Sequence, residues 1–131
     1  MKTPNFNSFA KEVYEANKLK GFDVSKENVG QTLMLVVSEL SEALEAHRKD
    51  RNANLHFFEI DMNFNSDIIP FKERLKRSFE VNIKDTFEDE IADSFIRLFD
   101  LCGALNIDID YHIKLKAEYN SLREYKHGKK Y

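Results

Sequence analysis

Apolar residues recur along this chain at steps of three and four, the period of a helix with one buried face. Over residues 6–20, Phe6, Phe9, Val13, Ala16 and Leu19 fall near one such face, and Gly21 is a stop signal. Residues 22–27 read as a connection. A longer helix is expected over about 28–49, where Val29, Leu33, Val36, Val37, Leu40 and Leu44 form an apolar stripe. The period then breaks. Residues 50–70, DRNANLHFFEIDMNFNSDIIP, carry Asn and Asp throughout and end on Pro70. Five of the eleven Phe lie between Phe57 and Phe79, which no polar linker would carry. About 51–83 therefore reads as an insertion that packs on the body of the protein or on a second subunit. Within it, FKERLKRSF predicts a short helix over 71–79 with Phe71, Leu75 and Phe79 on one face.

A central helix is expected over about 84–104. Phe87, Ile91, Leu98 and Leu105 share a face there, Phe95 and Cys102 widen it, and Ala92, Ile96 and Phe99 cover the next sector. Gly103 and Asn106 signal its end. Asp108 or Asp110 can cap a last helix over about 109–126 by accepting a bond from an unpaired backbone N–H. The expected fold is all-α, a bundle of four to five helices in a single domain spanning 1–131, with the Phe-rich insertion between two long helices.

Composition narrows the setting. At 131 residues, 42% hydrophobic and 33% charged, the chain can bury a real core and is not of a disordered type. No apolar run approaches the roughly 20 residues of a membrane span, and the first residues, MKTPNFNSFAKEVYEANKLKG, lack an apolar signal core. A single cysteine, Cys102, leaves no internal disulfide and no Cys-rich zinc site, so a cytoplasmic location is expected. Net charge of -3 argues against a general nucleic-acid binder. The charge is uneven: residues 114–131 are net +4, which leaves -7 on the remainder.

The acidic residues are not scattered. In SELSEALEA, Glu39 and Glu42 are three apart, hence about 60° apart around a helix and one turn along it. Leu35 and Ala46 share their sector, so the pair is expected to be at least partly buried, whereas Ser38 and Glu45 point towards water. FEDEIADSFIRLFD repeats the construction with Glu90 and Asp93, while Glu88 and Asp89 read as surface charge. Arg97 can pair with Asp93 or Asp100. Four carboxylates facing one another cost several kcal/mol each when buried as bare ions. They are therefore protonated, solvated or held by a cation. All-oxygen ligands suit Mg²⁺ or Mn²⁺. A di-iron bundle adds Glu-x-x-His on two helices, and here only Glu124-x-x-His127 fits that spacing, alone in a basic tail. A solvated helix face is the bland alternative for each acidic pair.

Together these motifs resemble the MazG-like, all-α nucleoside triphosphate pyrophosphohydrolases, which carry E-x-x-E on one helix and E-x-x-D on a later one. Here they read Glu39-Leu-Ser-Glu42 and Glu90-Ile-Ala-Asp93, followed by Lys116-Ala-Glu-Tyr-Asn120-Ser-Leu-Arg123. The resemblance covers about 28–49 and 84–131, and the acidic motifs lie further apart than in compact members. It implies Mg²⁺, with Mn²⁺ as an alternative, held by Glu39, Glu42, Glu90 and Asp93, with Glu39 or Glu42 also acting on the attacking water. It implies that Lys116, Asn120 and Arg123 contact a nucleoside triphosphate, which is hydrolysed to NMP and pyrophosphate in nucleotide-pool housekeeping, by a homo-oligomer, dimer or tetramer. Arg48 and Lys49 read as solvated. Lys126, His127, Lys129 and Lys130 are either a lid over the phosphates or a frayed tail. The competing readings are a non-catalytic helical interaction module and a nucleotide sensor without turnover.

Overall fold

The computed structural model describes residues 5–125 and 130. Among them the chain is all-helical, with six helices and no strand: α1 (Phe6–Leu19), α2 (Val29–Arg48), α3 (Leu55–Asn63), α4 (Phe71–Asn82), α5 (Phe87–Ala104) and α6 (Ile109–Ser121). None is long and apolar enough to cross a membrane. The helix beyond the expected four or five is α3. Its Leu55, Phe57, Phe58 and Ile60 crowd together without a clear period, but Asn54 starts it by accepting from the Phe57 N–H. α6 ends at Ser121, short of the expected 126. The expectations for Lys126, His127 and Lys129, and for the Glu124–His127 pair, fall outside the described residues.

Helix ends follow from local chemistry. Left-handed residues stand just beyond five of the six helices: Gly21, Asp50, Asn65, Asp85 and Asn106. Asn and Asp tolerate this conformation better than other side-chain-bearing residues. After α2, the Arg51 N–H reaches back to the Ala46 carbonyl at 2.9 Å, and after α5 the Ile107 N–H reaches Cys102 at 3.0 Å.

The chain divides into two compact units, residues 1–29 with 99–131 and residues 30–98. In the first, α1 buries Ala10 and Val13. Phe99 meets the rings of Phe6 and Phe9 at 5.6 and 5.2 Å. Asp110 accepts from the N–H groups of Phe6 and Asn7, both at 3.0 Å, and so caps α1, while Asp108 caps its own helix through Tyr111. Gly103 does not end α5. A Cβ there would sit 2.4 Å from the Ala10 carbonyl oxygen and 2.7 Å from Tyr14 Cβ, so the glycine is what lets α1 lie against α5.

In the second unit, α3 and α4 pack as a helical hairpin. The last carbonyls of α3 are satisfied by α4 arginines, Arg77 donating to Asp61 at 3.0 Å and Arg74 to Met62, and Arg74 also donates to Ile69, just before α4, at 2.9 Å. Phe87 N–H donates to the Arg51 carbonyl and Ala53 N–H to Glu88, which ties the start of the insertion to the start of α5.

α2 differs most from expectation. It buries Thr32, Val36, Glu39, Ala43 and Ala46, spaced four, three, four, three. The stripe Leu33, Val37, Leu40 and Leu44 has the same spacing one residue on, about 100° round the helix, and each of the four is 45–49% exposed. The inner face is thus the one with the glutamate and the small residues.

Candidate metal centre

The rotation of α2 turns Glu39 inward, where it is buried, and leaves Glu42 exposed. On α5, Glu90 and Ser94 are each only 5% exposed. Ser94 donates to the Glu90 backbone carbonyl at 2.9 Å, which keeps the serine hydroxyl satisfied one turn along. Glu39, Glu42 and Glu90 each offer a carboxylate oxygen, and these oxygens lie within 4.8 Å of one another. Two oxygens across an octahedral Mg²⁺ stand roughly 4.2 Å apart, twice the ordinary bond length. The 4.8 Å limit is wider than that, so a single ion would have to draw the carboxylates slightly closer.

Three of the four expected acidic ligands thus meet. Asp93 is exposed and is not part of that triad. Its carboxyl is nonetheless held above the usual range, by burial first and then by Asp89 and Glu39, with Arg97 opposing. The sequence reading also missed two residues. Asp89 is not bare surface charge: it accepts from the Asp85 N–H at 2.9 Å, and Asp85, Asp89 and Glu90 form a second set with oxygens within 4.8 Å. Asp89 stands at the third position of a helix whose Thr86 hydroxyl caps the Asp89 N–H. That T-x-x-D pattern is the signal that could have assigned it a role. Glu90 belongs to both sets.

Arg97 pairs with neither Asp93 nor Asp100. Its Nε donates to Glu39 Oε1 at 2.5 Å. One turn beyond Asp93, its long side chain reaches across to α2, a span that helical angle alone does not reveal. Asp100 instead accepts from Asn17 within the other unit. Lys49 pairs with Glu45 at 2.8 Å on the exposed side of α2, in line with the solvated reading of both.

Glu90 carries the electrostatic signature of the site. Its carboxyl is raised to about 7, by burial first and then by Glu42, Glu39, Asp93 and Asp89. Among the described residues the Glu90 carboxylate accepts no hydrogen bond and pairs with no cation. A buried acid in a field of like charges is costly unless it is protonated or bound to a cation. Hard oxygen donors on two helices, with one buried carboxylate lacking a counter-charge, suit a divalent cation of the Mg²⁺ or Mn²⁺ kind.

Lys116 and Asn120 are exposed on α6, in the first unit, and Arg123 follows the helix end. The Lys116 ammonium stands 5.1 Å and the Arg123 guanidinium 5.9 Å from the Tyr119 ring centre, so the two cations gather round one aromatic ring. Cys102 is half-buried, and burial pushes its thiol up, which agrees with a packing role and not a nucleophilic one. Comparison with protein-family models, with curated proteins and with solved structures finds no match for the chain.

Proposed function

We propose that the protein is a Mg²⁺-dependent nucleoside triphosphate pyrophosphohydrolase of the MazG-like kind, releasing NMP and pyrophosphate. The observation that carries this reading is the buried Glu90 carboxylate without a counter-charge, set among Glu39, Glu42, Asp89 and Asp93. E-x-x-E and E-x-x-D on two helices supply all of that cluster but Asp89. In this reading Glu39, Glu42 and Glu90 hold the cation, with Asp93 beside them. When bound there, such an ion would polarise phosphoryl oxygens and offset charge developing on them.

The protein's own side chains divide the remaining work. Glu39 is held by Arg97, which restricts the orientation of its carboxylate. Glu42 is exposed and makes no hydrogen bond among the described residues, which leaves it able to orient an attacking water and take its proton. The family resemblance assigns Lys116 and Arg123 to phosphate, as charge-assisted donors, and Asn120 to phosphate or base. The enzyme acts in the cytoplasm, where a lone thiol stays reduced, and assembles as a homo-oligomer through the exposed stripe of α2.

Exposed apolar surface also favours a second reading, a non-catalytic interaction module. A pyrophosphate-release screen over canonical, deoxy and damaged NTPs separates the two. The expected result is release that depends on Mg²⁺ and is abolished by EDTA and by Glu42→Gln. Release that persists in either condition overturns the metal-centred proposal. No release, with no rise in Tm on adding millimolar Mg²⁺ or Mn²⁺, favours the module, because a ligand of the native state must stabilise it.

A further inference from the structure

The insertion separates the two acidic motifs along the chain. The structure gives it a more specific place. Within the unit of residues 30–98 there is a cleft of about 710 Å³, within the range of small-molecule sites. From α4, Lys72 and Lys76 line it, one turn apart, with Leu75 and Phe79 between and beyond them. Lys84 joins them just past the helix end. The rest of the lining is acidic: Glu80, and Asp85, Asp89 and Asp93 at the start of α5. Two of these, Asp85 and Asp89, belong with Glu90 to the second carboxylate set. The cleft therefore shares Asp85 and Asp89 with that second set, whose third member, Glu90, also belongs to the candidate metal centre.

The α4 side chains are sorted by type. Arg74 and Arg77 are spent on backbone carbonyls, Met62 and Asp61 of α3 and Ile69 just before α4. Lys72, Lys76 and Lys84 are exposed and make no ion pair among the described residues. A cleft with three unpaired ammonium groups, an apolar patch and an acidic end is matched by a ligand of like construction. That ligand has several anionic groups, an apolar ring and a bound divalent cation. Inorganic phosphate offers no ring, and an acidic peptide carries no cation to meet Asp85 and Asp89. A nucleotide polyphosphate carrying Mg²⁺ has all three.

We propose that this cleft takes the substrate's polyphosphate chain, with its phosphates on Lys72, Lys76 and Lys84 and its nucleoside against Leu75 and Phe79. The insertion would then be part of the binding site. This rests on the pyrophosphohydrolase reading for the nucleotide, but the binding claim is separately testable. Lysines act here as point charges on flexible stems, suited to a phosphate chain.

The test uses the full chain in Mg²⁺, titrated by calorimetry with an α,β-methylene nucleoside triphosphate and, separately, with inorganic tripolyphosphate. In the Lys72→Gln/Lys76→Gln variant both affinities should fall by about 10-fold or more, the scale of two lost charged contacts. Lys72→Arg/Lys76→Arg should restore most of the loss. Phe79→Ala should weaken the nucleotide and spare tripolyphosphate. In turnover, the lysine variant should raise KM with kcat kept within about 2-fold, as expected when uniform binding is removed. Wild-type affinity in the lysine variant overturns the cleft while leaving pyrophosphohydrolase activity standing. Tripolyphosphate binding lost in that variant, in a protein that releases no pyrophosphate, supports the cleft and overturns the activity. Phe79→Ala weakening both ligands equally, or neither, overturns the placement of the nucleoside.

Discussion

At the scale of single residues, Glu90 is the group whose protonation the fold disturbs most clearly. Its carboxyl ionises near pH 4.5 when exposed and near 7 in the folded protein. Between those values the folded state binds more protons than the unfolded one, so stability falls as pH rises through the window. Asp93, also raised, adds to the same slope. The full effect is on the order of 3 kcal/mol for a shift of this size. Metal-free protein in EDTA should thus lose stability to urea between pH 4.5 and 7, and Glu90→Gln should flatten most of that loss. The same variant should be more stable than wild type at pH 8 and should lose the Tm rise with Mg²⁺. A wild-type profile that rises through this window would contradict the burial of an ionisable Glu90. The i, i+3 spacing marked two acidic pairs, Glu39 with Glu42 and Glu90 with Asp93, and of these Asp93 stays outside the set that meets. Arg97 and Asp89 were not legible, because one bonds across to another helix and the other is disguised as part of an acidic helix start.

At the scale of elements, glycines separate packing from propensity. Gly103 lies where an added methyl group would meet the α1 backbone, which cannot swing aside as a side-chain tip would. Gly103→Ala should cost about 1–3 kcal/mol as α1 is pushed off α5. Gly30, in the first turn of α2, has no atom within 4 Å of an added Cβ. Gly30→Ala should stabilise by about 0.5–1 kcal/mol through helix propensity alone. Opposite signs in thermal melts check both; a neutral Gly103→Ala would mean that α1 does not bear on that face. Helix existence was readable from period and caps for five elements. α3 was missed because its aromatic cluster lacks a period and its hairpin is held by Arg74 and Arg77, which satisfy backbone carbonyls across a turn. Gly103 was misread because a glycine near a helix end signals termination as readily as close approach. Only the neighbouring helix decides between them.

At the scale of the whole molecule, the apolar stripe of α2 is the outstanding feature. Folding places Glu39 inside and Leu33, Val37, Leu40 and Leu44 outside, with Phe95 on α5 57% exposed. Apolar period alone predicts the reverse for α2, and the reversal has a physical sense. A carboxylate cluster needs an enclosed, weakly hydrated setting to hold a cation tightly, and the small Ala43 and Ala46 provide room beside it. The larger side chains are then left for another surface to cover, since a contiguous apolar patch of several hundred Å² seldom stays bare. A second copy supplies a matching stripe without any further design, and a stable pair needs about 800 Å² from each partner. Sedimentation at micromolar concentration should therefore give a multiple of the 15.4 kDa chain mass. Leu40→Glu, which sets a charge in the middle of the stripe at a position 48% exposed, should shift the mass to a single chain with helix content unchanged. A wild-type protein that sediments as one chain would show that the stripe serves a different partner, and would remove the homo-oligomer from the proposal without touching the carboxylate cluster.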